Sequence, residues 1–330
     1  MNTIAENTDP KVTIAEVIAA AGRIRPYAHR TPIMTCQAID DRVGTKVFFK
    51  CENFQKSGAF KFRGAVNAVS QLSPEELQRG VVTHSSGNHA AALASAAQIF
   101  GTQAFIVMPS NSSEVKKKAV RNYAGQITEC EPTLAARIAG ANKIQAETGA
   151  VMIPPFDHRD VIAGQGTCGL ELFQQVPQLD AVIAPIGGGG LMSGTCIAAR
   201  EAAKKFDRDI LILGGEPEGA DDAFRSKASG KFIPQDNPQT VSDGLRTSLG
   251  QLTWPFIRDS VDEIITVDDQ ETVEALRFFW ERTKAIIEVS CAVPLAAIIK
   301  RFSHLPSEQK PKNIGVILSG GNVDFSNLPF

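Results

Sequence analysis

A chain of 330 residues with 43% hydrophobic content is long enough to bury a large core and to divide into about two domains. Its 34 basic and 36 acidic residues leave a formal charge of -2, which gives no electrostatic case for nucleic acid or an anionic membrane surface as partner. Met1 to Lys11 holds no apolar stretch of the signal-peptide kind, no later run is long enough to span a bilayer, and the 6 cysteines sit at neither zinc-ligand nor redox spacing, so the expectation is a cytoplasmic enzyme of small molecules with reduced thiols. In chain order, Thr13-Ile14-Ala15-Glu16 is a capping-box pattern opening an amphipathic helix toward Ile24, and Val47-Phe48-Phe49 reads as a buried strand. Strands are predicted at 81–83, 104–108, 127–130 and 151–153, with helices between them at 89–100, 114–123 and 134–146. The alternation resumes with strands at 179–185, 210–214 and 314–318, helices at 191–206, 269–285 and 294–302, and a loop-rich stretch at 230–237. This is an α/β pattern: a small domain over 77–155, and a larger one built from both chain ends, 1–76 and 156–330. Ligands of open α/β sheets bind beyond the carboxyl ends of strands, so the residues that follow each strand are the candidate site.

Four such places stand out. In Ser57-Gly58-Ala59-Phe60-Lys61, a continuing helix puts Lys61 on one face with Gly64, Ala65 and Ala68, while Arg63 and Asn67 point elsewhere. A desolvated lysine has the lowered pKa that Schiff-base chemistry needs, although a lysine snorkelling out of an apolar stripe would look the same. Ser85-Ser86-Gly87-Asn88-His89 leaves a strand and enters a helix, which makes either an anion cradle or an ordinary N-cap. In Gly187-Gly188-Gly189-Gly190-Leu191 four glycines lead into a helix, an arrangement that lets several N–H groups converge on one phosphate. The six residues 188–193 miss the dinucleotide fingerprint by ending in Ser193, and Glu216 lies beyond the spacing of the ribose-binding acid, so a nicotinamide oxidoreductase stays open as an alternative. Lastly, Leu318-Ser319-Gly320-Gly321-Asn322 sets a neutral hydroxyl at the end of an apolar strand, or is a plain glycine turn. A desolvated lysine, a carboxylate cradle, a phosphate cup and a strand-end hydroxyl together match what an aldehyde-bearing phosphorylated pyridine and an amino acid require.

With Thr31-Pro32, Lys50-Cys51-Glu52-Asn53-Phe54 and Gly321-Asn322-Val323-Asp324, these motifs resemble the fold-type II pyridoxal-phosphate enzymes, specifically the serine racemase and serine/threonine dehydratase branch, over nearly the whole chain. The resemblance implies two open-sheet α/β domains with pyridoxal phosphate in the cleft between them. It implies Lys61 as the Schiff-base lysine, Phe60 flanking the ring, Asn88 facing its 3′ oxygen, Gly187 to Gly190 holding the phosphate and Ser319 meeting the pyridine nitrogen. It places Ser85, Ser86, Gly87, Asn88 and His89 around the substrate, with Ser86 as the opposite-face acid of a racemase. Glu216, Ala220 and Asp222 match a divalent-cation site whose oxygen ligands suit magnesium, calcium or manganese. A homodimer is the assembly expected.

The departures sharpen the substrate. Ala91 stands where nucleotide-activated serine racemases usually carry glutamine, which argues against ATP regulation, and no chain length is left for a C-terminal regulatory domain. Phe156 has the dehydratase form. Glu288-Val289-Ser290-Cys291-Ala292-Val293-Pro294 departs from glutamate-proline-serine/threonine-glycine, and with Glu129-Cys130-Glu131-Pro132 and Gly166-Thr167-Cys168 it looks like the hydroxyaspartate dehydratases. The expected reaction is therefore loss of water and ammonia from a small β-hydroxy amino acid, with 3-hydroxyaspartate first, serine or threonine next, and serine or aspartate racemisation as the alternative. Arg137 is the candidate partner of a second substrate carboxylate, with Arg246 in reserve; a solvated helix face is the other meaning of Arg137.

Overall fold

The protein is described by a computed structural model that covers residues 11–85 and 87–330. The predicted capping box is present: Thr13 Oγ1 accepts from Glu16 N, and Glu16 returns a carboxylate to Thr13 N, opening α1 (Ile14–Ile24). Next come β1 (Ile33–Met34), α2 (Gln37–Val43), β2 (Lys46–Cys51) and α3 (Lys61–Val69). The middle of the chain forms α4 (Pro74–Arg79), β3 (Val81–His84), α5 (Asn88–Ile99), β4 (Ala104–Pro109), α6 (Glu114–Asn122), β5 (Gln126–Cys130), α7 (Leu134–Thr148) and β6 (Val151–Met152). It continues through α8 (Arg159–Gln175), β7 (Ala181–Pro185), α9 (Gly190–Phe206), β8 (Leu211–Pro217) and α10 (Asp222–Ser229). The last elements are α11 (Trp254–Ser260), β9 (Glu263–Val267), α12 (Asp269–Thr283), α13 (Val289–Phe302) and β10 (Asn313–Leu318).

The strands form two sheets, one of six in the order β1-β2-β10-β7-β8-β9 and one of four in the order β5-β4-β3-β6, parallel except for the β1–β2 pair. The larger sheet is covered on both faces, and the period of two along its strands divides the core. Ala181 and Ile183 of β7 pack with α2, α12 and α13, whereas Val182 and Ala184 pack with α8, α9 and α11. Because β2, β10, β7, β8 and β9 run parallel, their carboxyl ends share one edge, and the segments after them converge there.

Several elements differ from expectation. Helix α8 is not predicted, because Gly164, Gly166 and Gly169 are poor helix formers. Packing explains them: a Cβ on Gly164 would stand 2.6 Å from Gly64 Cα of α3, and one on Gly194 of α9 would stand 2.4 Å from Gly166 N. Backbone-on-backbone contact thus fixes α3, which begins at Lys61, and α9, which begins at the glycine loop, on the two sides of α8. Helix α13 starts at Val289, well before the predicted Pro294, and carries that proline in its second turn, where burial of the residues around it offsets the lost ladder bond. Strand β9 and the short helices α2, α10 and α11 are likewise absent from the prediction.

Candidate active site

Lys61 reaches the cleft because its segment is sewn to the end of β10. Gly321 N donates to Gly58 O at 2.9 Å, Phe60 N donates to Ser319 O at 3.0 Å, and Ala59 bridges Gly320. Among the described residues the Lys61 Nζ has one hydrogen-bond acceptor, the Pro155 carbonyl at 2.6 Å, and it sits 5.0 Å from the Phe60 ring centre and 6.0 Å from that of Phe156. Desolvation pulls its pKa down to about 8, against an opposing pull from Glu288. A neutral carbonyl partner and two flanking rings are surroundings that favour the uncharged amine.

The glycine loop leaves β7 and enters α9 with Gly189 at φ +84, a conformation that favours glycine. Its outer wall is full: a Cβ on Gly188 would lie 2.3 Å from the Phe156 ring, one on Gly189 would lie 2.8 Å from Thr253, and one on Gly187 would lie 3.2 Å from Leu245 Cα. Thr253 Oγ1 donates to Gly188 O at 2.8 Å and pins the turn. Gly190 opens α9, so the loop presents backbone donors and a positive dipole end to the cleft.

Across the cleft, Ser85 follows β3 and Gly87 caps α5, with Ser85 Oγ accepting from Gly87 N at 3.4 Å. Ser86 lies outside the described residues. Asn88 opens α5; its amide donates to both Glu288 oxygens, at 2.9 and 3.0 Å, and accepts from Asn322 at 2.9 Å. His89 is buried on Ile153 O at 2.9 Å, and burial, then Lys61, depresses its pKa to about 3, which leaves it a neutral ring. Ser319 is 3% exposed and neighbours Cys291, whose thiol burial keeps neutral.

Arg137 stands on the first turns of α7, half-buried; its Nε has no hydrogen-bond partner among the described residues, and burial lowers its pKa. The Arg246 guanidinium donates to the Thr240 carbonyl. Glu216, at the end of β8, is buried and accepts from Ala223 N at 2.9 Å and Phe224 N at 2.8 Å. Asp222 accepts from Leu249 N at 2.9 Å, and Ala220 lies buried in the turn between the two. Burial, then Asp222, raises the Glu216 carboxyl well above the usual range, and burial lifts Asp222 to about 6. Neither carboxylate forms an ion pair among the described residues, and no group of three or more His, Cys, Asp or Glu side chains there is placed to hold a metal. All six cysteines are free.

Sequence reasoning passed over the Pro155 carbonyl on Lys61 and Thr253 on the loop, and it read Phe156 and Glu288 only as substrate hints, not as the ring under Gly188 and the partner of Asn88. Each reaches the site across a large separation along the chain, which no local motif reports.

Two parallel-rich sheets with an amine, a glycine cup and a neutral hydroxyl at converging strand ends define an enzyme of the pyridoxal-phosphate class. The chain belongs to that family: residues 24–320 match the family described as "Pyridoxal-phosphate dependent enzyme". It is 47% identical to the "beta-hydroxyaspartate dehydratase" of Paracoccus denitrificans, over 96% of this chain and 98% of that one. It is also 47% identical to the "Serine racemase" of Arabidopsis thaliana, over 96% and 94% of the two chains. The solved structure of maize serine racemase superposes with a TM-score of 0.91 at 47% identity, covering 96% of this chain and 95% of that chain. The family match removes the nicotinamide alternative.

Proposed function

We propose that this protein is an ammonia-lyase that eliminates water from 3-hydroxyaspartate, after which the enamine formed takes up water, releases ammonia and leaves oxaloacetate. The observation that carries the reading is Lys61, an amine with a neutral partner at 2.6 Å and a pKa near 8. The residues fit the cofactor, since the cup at 187–190 is closed to any side chain on its outer wall yet offers backbone donors at a helix start. When bound, pyridoxal phosphate supplies an electron sink next to the substrate α-carbon.

In this reading Lys61 holds the cofactor aldehyde and, once free, takes the α-proton on Nζ. Gly187 to Gly190 hold the phosphate, and Phe60 and Asn88 set the ring's place. Ser319 would offer the pyridine nitrogen a neutral hydroxyl, and the neutral Cys291 thiol behind it would add no charge there. A neutral partner at that position would suit loss of the substrate β-hydroxyl. Ser85 and the backbone of Gly87 and Asn88 take the substrate carboxylate at the α5 start, with His89 beside them as a neutral ring held on Ile153 O, and Arg137, whose Nε has no partner among the described residues, takes the second carboxylate. Glu216, Asp222 and the Ala220 carbonyl take a magnesium, calcium or manganese ion, which would relieve two buried carboxylates that have no ion-pair partner among the described residues. We keep the boundaries 1–76 with 156–330 and 77–155 as a proposal, supported by β3 to β6 of the four-stranded sheet all lying within 77–155, while α3 shares a core cluster with that sheet.

The test is turnover of 3-hydroxyaspartate, threonine and serine, read as keto acid and ammonia against exchange of enantiomers. The expected result is the highest kcat/KM for 3-hydroxyaspartate, reduced by Arg137→Ala far more than the serine value, by roughly a hundredfold against a few-fold. Threonine as the preferred substrate would remove the hydroxyaspartate assignment. The serine racemase relative at 47% identity keeps the second reading, and enantiomer exchange without keto acid would establish it in place of the first.

A further inference from the structure

Glu288 caps α13 from the larger sheet, and its carboxylate crosses to Asn88 at the start of α5. Glu288 N donates to Gly320 O at 3.0 Å, and a Cβ on Gly320 would meet Glu288 Oε1 at 2.8 Å and Ala59 Cβ at 3.0 Å. The carboxylate therefore lies against the very segment that delivers Lys61. On the other side of Asn88, the Asn322 amide donates to Asn88 Oδ1 and to Ser57 O, each at 2.9 Å. The Asn88 amide is held at both ends, with its NH2 toward Glu288 and its oxygen toward Asn322.

We propose that Glu288 is a positioning residue that fixes the Asn88 amide in the cofactor cleft and whose charge governs when Lys61 becomes a free amine. This rests on Lys61 being the cofactor-bearing lysine. A carboxylate near an ammonium favours the protonated form, so ionised Glu288 delays the release of the Lys61 proton to higher pH. Burial, the largest influence, lifts Glu288 to about 7; the Asn88 hydrogen bond lowers it, Asp243 raises it, and Lys116 and the Asn322 backbone lower it. Lys61, drawn down to about 8 by desolvation, feels the opposing charge of Glu288, and His89 nearby is kept neutral by burial. Burial pushes the two groups toward each other on the pH scale, so the charge on Glu288 and the proton on Lys61 are linked.

The experiment uses apoprotein of the parent, E288Q and E288D, and follows the rate of pyridoxal phosphate uptake at the near-visible band from about pH 6 to about pH 10. The free cofactor titrates alike in all three, so only differences count. The expected result is a half-maximal rate in E288Q lower by roughly one pH unit, with E288D close to the parent. An unshifted midpoint in folded E288Q overturns the proposal, because a merely structural role would change the amplitude and not the midpoint. If E288Q does not fold, lysine nitrogen NMR of the parent apoprotein decides: a single-step Lys61 titration without a second inflection from the neighbouring carboxylate overturns it, and two inflections support it. Band formation that survives in Lys61→Ala overturns both the lysine assignment and this proposal, whereas an unshifted E288Q midpoint alone leaves the lysine assignment in place.

Discussion

Lys61 and Arg63 are cations two residues apart on one helix, and they have opposite surroundings. Arg63 is fully buried between two carboxylates, with Nε and one amino group on Glu52 at 2.7 and 2.8 Å and two further donations to Glu171, both at 2.8 Å. Lys50, also buried, closes the cluster on Glu171 at 2.6 Å and Thr31 O at 2.8 Å. Burial pulls on both cations in the same direction, yet Glu52 and Glu171 push Arg63 well above its usual pKa while Lys61 is left depressed. Partners, more than burial, separate a structural charge from a chemical one.

The comparison is broken most severely at the structural cation. Arg63→Met should lower unfolding free energy by about 3–5 kcal/mol, because Glu52 would stay buried without its counter-charge. Denaturant titration measures it, and a loss under about 1 kcal/mol would place Arg63 outside the stabilising framework. The pH sign is fixed as well. Burial raises Glu52, but Arg63 overrides it and holds the carboxyl below its ordinary value, so this contribution is present above the unfolded pKa and lost as pH falls through the folded one.

Glu216 and Asp222 form the contrasting acid pair, and their sign is opposite. Their raised pKa values mean that the contribution is full below the unfolded value and is lost as pH rises, through about 6 for Asp222 and higher for Glu216. Magnesium should therefore raise the melting temperature more at pH 8 than at pH 5, with chelator reversing the gain, by about 2–3 kcal/mol at a hundredfold excess over Kd. Glu216→Ala should abolish the response; an identical magnesium response in that variant would mean that the ion binds elsewhere.

Much of this was legible in the sequence, and what was not has a physical reason. The parallel strands, the glycine cup and Lys61 each carry a local signal, since period-two burial, consecutive glycines and a lysine on a small-residue face are read within a few positions. Helix α8 was hidden because its glycines serve contact with α3 and α9, so tertiary packing overrides low propensity. Arg63 was read only as pointing away from the Lys61 face, for its partners lie 11 and 108 residues distant. Glu288 and Asn88 stand 200 residues apart, so their contact belongs to the fold alone.

The central claim is that Lys61, and no other lysine, carries the cofactor. Borohydride reduction of the holoenzyme followed by peptide mass analysis tests it directly. A reduced phosphopyridoxyl group on the peptide containing Lys61, with band and turnover lost in a folded Lys61→Ala variant, is the predicted result. The same group on Lys50, Lys56 or any other lysine, or full turnover in the variant, would contradict it.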